Sequence, residues 1–189
     1  MHIDTPTCHT VDLTPDSITG SLPADTFKAA FRNHPAGVAV ITADPGGEPV
    51  AMTVSSLTSI STEPPLVTFS ASALSSSTPA LERADTVVIH MIAADELWLA
   101  KLGATSGIDR FADTDTWSRL ATGEPLFHHG GTWIRGRVLH RLTAGNSIVH
   151  VVQALDACDP AQIAQPADAA PLVYHNRTWH ALGDASVIA

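Results

Sequence analysis

Between Pro35 and Ala71 three short apolar runs alternate with two turn signals, and the middle run is loaded with hydroxyls. This stretch constrains the fold more than any other part of the chain. Asp44-Pro45-Gly46-Gly47 forces a reversal, so Val38–Ala43 and the strand that starts at Val50 form a hairpin. Glu63-Pro64-Pro65 marks the next turn, and Leu66–Ala71 is the third strand, with its prolines at the start where a missing N–H is tolerated. The middle strand is read over Val50–Ser61 and carries Thr53, Ser55, Ser56, Thr58, Ser59 and Ser61. A strand buried on both faces would be nearly all Val and Ile. Small hydroxyls there suit a strand that lets a polar ligand come close to the backbone.

The rest of the chain keeps to short elements. A helix is expected over 23–33, with Pro23 at its first position and Phe27, Ala30 and Phe31 on one face. A second helix opens at Ser75-Ser76-Ser77-Thr78-Pro79, with Thr78 as N-cap. Thr86–Ile92 reads as a strand, and Asp95–Leu102 as a helix closed by Gly103. Residues 104–132 read as irregular. Thr132–Leu142 alternates, with Trp133, Arg135, Arg137 and Arg141 on one side and Ile134, Gly136, Val138 and Leu142 on the other. Ile148–Leu155 is a further strand, 159–170 an Ala/Pro/Asp loop, and Leu172–Tyr174 and Thr178–Leu182 flank a turn at His175-Asn176-Arg177. Short strands joined by tight turns, with few helices, predict a mainly β fold: a barrel or sandwich with peripheral helices. Residues 1–20 read as a flexible arm and 21–189 as one domain.

Composition excludes several classes. The chain has 189 residues, 44% of them hydrophobic, enough for one full core. Its net charge of −9 argues against nucleic-acid binding, which needs clustered Lys and Arg. Cys8 and Cys158 have no zinc spacing, and the ten histidines are scattered, so no metal site is expected. No apolar run approaches the ~20 residues of a membrane span. The polar N-terminus is neither a signal nor a transit peptide, and a cytoplasmic protein is the expectation. There is no GxGxxG or GxxxxGK[ST] loop, which argues against a doubly wound nucleotide fold.

Three features point to an anionic ligand. Thr53 and Ser55 share one strand face, with Ser56 opposite. Ser76, Ser77 and Thr78 stand at a helix start, where free N–H groups favour an anion. Arg110 precedes Phe111, placing a cation beside an aromatic surface. Singly, these are equally a solvent-facing strand, a helix cap and a surface arginine. Composition and pattern alone support a β-rich domain that binds an anion.

FKAAFRNHPAGVAVITA, followed by Met52-Thr53-Val54-Ser55-Ser56-Leu57-Thr58-Ser59-Ile60-Ser61 and Pro64-Pro65-Leu66-Val67, resembles the opening and the MTxSSFxSVS…PPLV signature of the flavin reductase family. Ser77-Thr78, Arg110-Phe111 and Gly123-Glu124-Pro125-Leu126 after Trp117 are similar to its later motifs, so the likeness runs from about 24 to 156. The resemblance implies a homodimeric split β-barrel binding FMN or FAD, with NADH or NADPH as electron donor and a flavin-dependent monooxygenase as partner. It implies flavin contacts at Met52, Thr53, Val54, Ser55 and Ser56, at Ser70 and Ala71 along the ring or ribityl chain, and at Ser76, Ser77, Thr78, Arg110 and Phe111 towards the phosphate end. No protein acid or base is implied, because hydride passes directly between the two cofactors.

Two positions depart from the family's pattern. Gly145-Asn146-Ser147 stands where Gly-Asp-His is usual, and Ile89-His90-Met91-Ile92 where VNVL is usual. Ser147 and His90 are therefore candidate contacts to nicotinamide or flavin with altered chemistry, while His150 is expected to be structural. The alternatives are a flavoprotein of this fold with another donor or substrate, and a non-catalytic flavin binder.

Overall fold

The computed structural model describes residues 13, 17–128, 131–158 and 170–188. Most of the expected arm over 1–20, and the expected loop over 159–170 up to residue 169, lie outside them. In chain order the elements are helix α1 (Ala24–Phe31), then strands β1 (Ala36–Gly37), β2 (Ala39–Ala43), β3 (Val50–Val54), β4 (Thr58–Thr62) and β5 (Pro65–Ser72). Helix α2 (Thr78–Arg83), strand β6 (Thr86–Met91) and helix α3 (Leu97–Ala104) follow. The rest are strands β7 (Trp117–Arg119), β8 (Pro125–Phe127), β9 (Trp133–Ala144), β10 (Ser147–Ala157), β11 (Leu172–His175) and β12 (Thr178–Ala181). No helix among the described residues is long and apolar enough to cross a membrane.

Seven strands form one antiparallel sheet in the order β3-β2-β6-β9-β10-β5-β4. Its two edge strands, β3 and β4, are consecutive in the chain and joined only by residues 55–57. At about 3.3–3.6 Å per residue that link reaches little more than 10 Å, so the sheet has to curl until its edges nearly meet. The result is a barrel split along one seam, in line with the expected fold. The sequence suggested an unbroken strand over Val50–Ser61; the structure breaks it at the seam. There the Ser56 hydroxyl accepts from the Ser70 N–H at 2.9 Å and donates to the Ser70 carbonyl at 3.2 Å, taking the place of a strand ladder.

Strand β2 lies between two cores, which explains why all five of its residues are buried. Ala39, Ile41 and Ala43 face the barrel interior with Phe69, Ile89 and Val152. Val38 and Val40 face a second core under α3, with Leu99, Phe111, Phe127 and Leu172. Each fully buried Ile, Leu or Phe adds about 1.5–3 kcal/mol, so the sheet is anchored from both faces.

Several boundaries shift for physical reasons. Ser77, not Thr78, precedes the first turn of α2. Gly103 lies inside α3 rather than closing it, because a Cβ there would stand 2.4 Å from Thr53 Oγ1 and 3.0 Å from the Thr53 nitrogen. The stretch 104–132 is not wholly irregular: β7 and β8 form a hairpin across it. On β9 a bulge at Leu139, where His140 and Val138 pair with successive residues Val151 and Val152, flips the alternation. Arg141 is thereby moved to the side of Val138, not that of Arg135 and Arg137, and donates to the Leu81 carbonyl at 3.3 Å and to that of Ala84 at the end of α2.

Candidate functional site

Along β3, side chains successively meet α2, α3 and open space. The Ser77 hydroxyl donates to the Ala51 carbonyl at 2.9 Å, and the Thr53 hydroxyl to the Ala100 carbonyl at 2.7 Å. The next residue on that side, Ser55, is exposed at the seam and makes no hydrogen bond to the described residues. Four residues of strand cover about 13 Å. This is the length scale of an extended mononucleotide, with a charged corner at one end and an open slot at the other.

The charged corner is Arg110. Its Nη2 donates to the Thr105 carbonyl at 2.6 Å and its Nη1 contacts the Ser77 hydroxyl at 3.5 Å. Partial burial lowers its pKa from the ordinary arginine value, so an anion beside it would regain lost solvation. Among the described residues two of its five N–H donors are engaged, and the buried Nε has no partner there. Ser77 and Thr78, however, do not present free hydroxyls: Thr78 Oγ1 donates to the Ser72 carbonyl at 2.6 Å, and both side chains are buried. Ser76 is exposed and carries no hydrogen bond among the described residues.

The open slot comprises two adjoining cavities of about 580 and 230 Å³, both lined by Ser55 and Tyr174. The smaller one adds Val38, Thr53, Val54, Ala104 and Trp179, so it has aliphatic and aromatic walls with a polar edge. The larger one opens past Ser56 and Thr58 to α1 and the β11–β12 hairpin. That hairpin pairs with β1, not with the barrel. The sequence reading gave it no functional weight, yet Tyr174, Asn176, Arg177 and Trp179 form a wall of the site. Its signal was present in the turn His175-Asn176-Arg177 flanked by aromatics, but nothing local says that a hairpin 120 residues from β3 folds against it.

Other predicted contacts lie elsewhere. Met52 and Ala71 point into the barrel core, and Phe111 stacks on Phe127 at 5.0 Å in the second core. Ser70 is engaged through its backbone by Ser56. His90 is fully buried, with Nδ1 3.0 Å from the Val40 carbonyl and Nε2 accepting from the Phe127 N–H at 3.2 Å. Both ring nitrogens are thus in contact with the backbone of the fold itself. Ser147 stands opposite Ser72, away from both cavities. His150 is buried and stacked on Phe69 at 4.7 Å; burial, and then the Arg141 charge, outweigh its contact with the Ile148 carbonyl and lower its pKa. No cluster of three metal-ligating side chains occurs among the described residues.

A sequence profile described as "Flavin reductase like domain" matches residues 31–183. An NADH:FMN oxidoreductase of Rhodococcus qingshengii is 39% identical over 178 residues, covering 93% of this chain and 90% of that protein. The crystal structure of a flavin reductase domain protein from Arthrobacter sp. FB24 superposes with a TM-score of 0.76 at 32% identity, covering 84% of this chain and 95% of that one. BorF, the flavin reductase component of a bacterial two-component tryptophan halogenase, gives a TM-score of 0.73 at 27% identity over 86% and 99% of the two chains. The chain belongs to the flavin reductase family.

Proposed function

We propose that this protein is a flavin reductase that uses NADH or NADPH to reduce FMN, or FAD, for a partner monooxygenase. The observation that carries this reading is the split seam. It leaves Ser55 as an unengaged hydroxyl between two cavities, in line with Thr53 and the Arg110 corner. The residues there fit a flavin. The smaller cavity offers aromatic and aliphatic walls to a flat ring, and the backbone of 53–56 with the Ser55 hydroxyl offers donors and acceptors at its edge. Arg110 and Ser76 supply the charge and hydroxyl that a terminal phosphate needs. The matched relative named NADH:FMN oxidoreductase favours the same assignment, with FMN as the flavin and NADH as the donor.

A bound flavin would supply a two-electron carrier able to take a hydride from a reduced nicotinamide. The chain's residues have only to bind and align. Val38, Tyr174 and Trp179 wall off water, Ser55 fixes the polar edge, and Arg110 holds the tail. Alignment of this kind can lower a barrier by several kcal/mol without an acid or base. We place a second copy of the chain against the barrel, giving a homodimer, since Phe27, Phe31 and Ile60 are exposed near the seam.

The test is NADH and NADPH oxidation by the purified protein with and without added FMN or FAD. Turnover that rises with free flavin supports the reductase. Tightly held flavin with no turnover would overturn it in favour of the non-catalytic binder, and light scattering checks the dimer.

A further inference from the structure

Six of the seven arginines and lysines outside the larger cavity differ in their surroundings from the arginines that line it. Arg83, Arg110, Arg119, Arg135, Arg137 and Arg141 each donate to a carbonyl, carboxylate, amide or hydroxyl of the protein. The guanidinium groups of Arg32 and Arg177 donate to nothing among the described residues, and both residues line the larger cavity. The chain has 19 acidic residues against 10 Lys and Arg, yet no described Asp or Glu lines that cavity, while His34 and Lys28, the latter paired with Asp25 at 3.5 Å, do. A local excess of positive charge in an acidic protein is a binding feature, since unpaired like charges repel unless an anion joins them.

The backbone brings the two residues to one cavity. Arg32 follows α1, and its carbonyl accepts from the Asn176 N–H at 3.1 Å, fastening the helix end to the hairpin tip. Asn176 and Arg177 have φ of 48° and 63°, the only described non-glycine residues with positive φ. Asn is tolerated there, but Arg is an uncommon occupant, and such conformations tend to persist where a side chain has to be aimed.

Resting on the flavin reductase reading, we infer that Arg32 and Arg177 form a clamp for the pyrophosphate of the nicotinamide dinucleotide. Arg110 already provides for the single phosphate of FMN at the other end of the site. A second cationic pole therefore needs a second anion, and a dinucleotide donor carries one. Both clamp residues are exposed, so water and salt weaken their grip. That suits a substrate which must leave in every turnover, unlike a cofactor to be retained.

The experiment compares wild type with Arg32→Gln, Arg177→Asn and the double variant. Asn at 177 keeps a residue that accepts the left-handed backbone. KM for NADH and for NADPH should both rise roughly tenfold per guanidinium, with kcat and FMN affinity unchanged. ADP-ribose, which has the pyrophosphate but no nicotinamide, should lose affinity by the same factor in a calorimetric titration that needs no turnover. Loss confined to NADPH would overturn the assignment in favour of its 2′-phosphate. Loss of FMN affinity would give the clamp to the flavin, and unchanged ADP-ribose binding would remove it altogether. If wild type fails to oxidise NADH, the reductase reading fails, while the ADP-ribose titration still judges the clamp.

Discussion

The two arginine poles of the site are built in opposite ways. Arg110 is half-buried, with Nη2 fixed on the Thr105 carbonyl and Nη1 on Ser77, which is itself fixed on Ala51 of β3. Arg32 and Arg177 are exposed, and only the backbone bond between their elements positions them. A fixed, partly dehydrated guanidinium requires little reordering when an anion arrives, and its interaction is poorly screened. An exposed one has to be ordered by its ligand and is screened by salt. On the reading proposed above, the same residue type gives a holding site at one end and an exchange site at the other.

The change expected to separate the poles most is Gly103→Val. Its Cβ would meet Thr53 at 2.4 Å from Oγ1 and 3.0 Å from the backbone nitrogen, so α3 has to move off β3. Overpacking of this kind costs about 3 kcal/mol at the high end, and it displaces Thr105 and with it Arg110. Thermal melts should show the loss, and FMN binding should weaken more than ADP-ribose binding. Equal weakening would mean that the two poles are not independent.

Arg110→Ala comes next. It should weaken FMN by about 1.5–3 kcal/mol, the value of hydrogen bonds to charged groups, and leave ADP-ribose binding as it was. A flavin titration with unchanged affinity would remove the phosphate from this corner.

How far the sequence showed these two poles is instructive. The mainly β fold and the hairpin that opens the seam strand were legible, because each rests on local grammar: turns, alternation, and hydroxyls beside an apolar run. The hydroxyl run nevertheless misleads about its own use. Thr53, Ser56, Ser77 and Thr78 each bind a carbonyl of the protein, whereas Ser55 and Ser76 make no such bond among the described residues. A buried hydroxyl and a ligand-binding one are the same letter in a sequence, and only packing distinguishes them. Phe111 and His90 were misplaced for a related reason: α3 and the β7–β8 hairpin create a second core on the outer face of the sheet, and periodicity does not say which face is covered. Arg177 was out of reach, because its partner Arg32 is 145 residues away and joined to it by tertiary pairing alone.

A pH series tests the scaffold that both poles share. His150 is buried, and its pKa is held below the ordinary value by burial and then by Arg141. The unfolded chain takes up a proton below about pH 6.5, while the folded chain resists it. Stability is therefore fully present above that pH and falls as the solution is acidified towards the folded value, by at most about 1.4 kcal/mol per pH unit. His150→Phe, which keeps a ring against Phe69, should flatten denaturant midpoints between pH 6.5 and 5. An unflattened profile would remove His150 as the source; Glu124, whose pKa is lowered because hydrogen bonds from Thr122, Thr86 and Arg135 outweigh burial, gives up its contribution only at lower pH, below the ordinary carboxylate value.

Ionic strength gives a smaller but cleaner contrast. Raising salt from 0.01 to 0.15 M shortens the screening length from about 30 to about 8 Å. KM for NADH should rise severalfold, because its clamp is exposed, whereas FMN affinity should change less at the partly buried Arg110. Equal salt dependence would erase the distinction between holding and exchange.

The smallest effect is expected at Ser147→His, which restores one residue of the family's usual Gly-Asp-His turn. Ser147 pairs with Ser72 and lines neither cavity, and the turn beside it is docked through the Ala73 N–H on the Asn146 carbonyl at 2.9 Å. An imidazole there gains no contact with either pole of this chain. KM and kcat for NADH should both stay within about twofold, less than the ~1.4 kcal/mol that a tenfold change represents. A large gain in kcat would show that the nicotinamide reaches the β9–β10 turn. The exchange pole would then have to extend away from Arg177 towards the second copy of the chain.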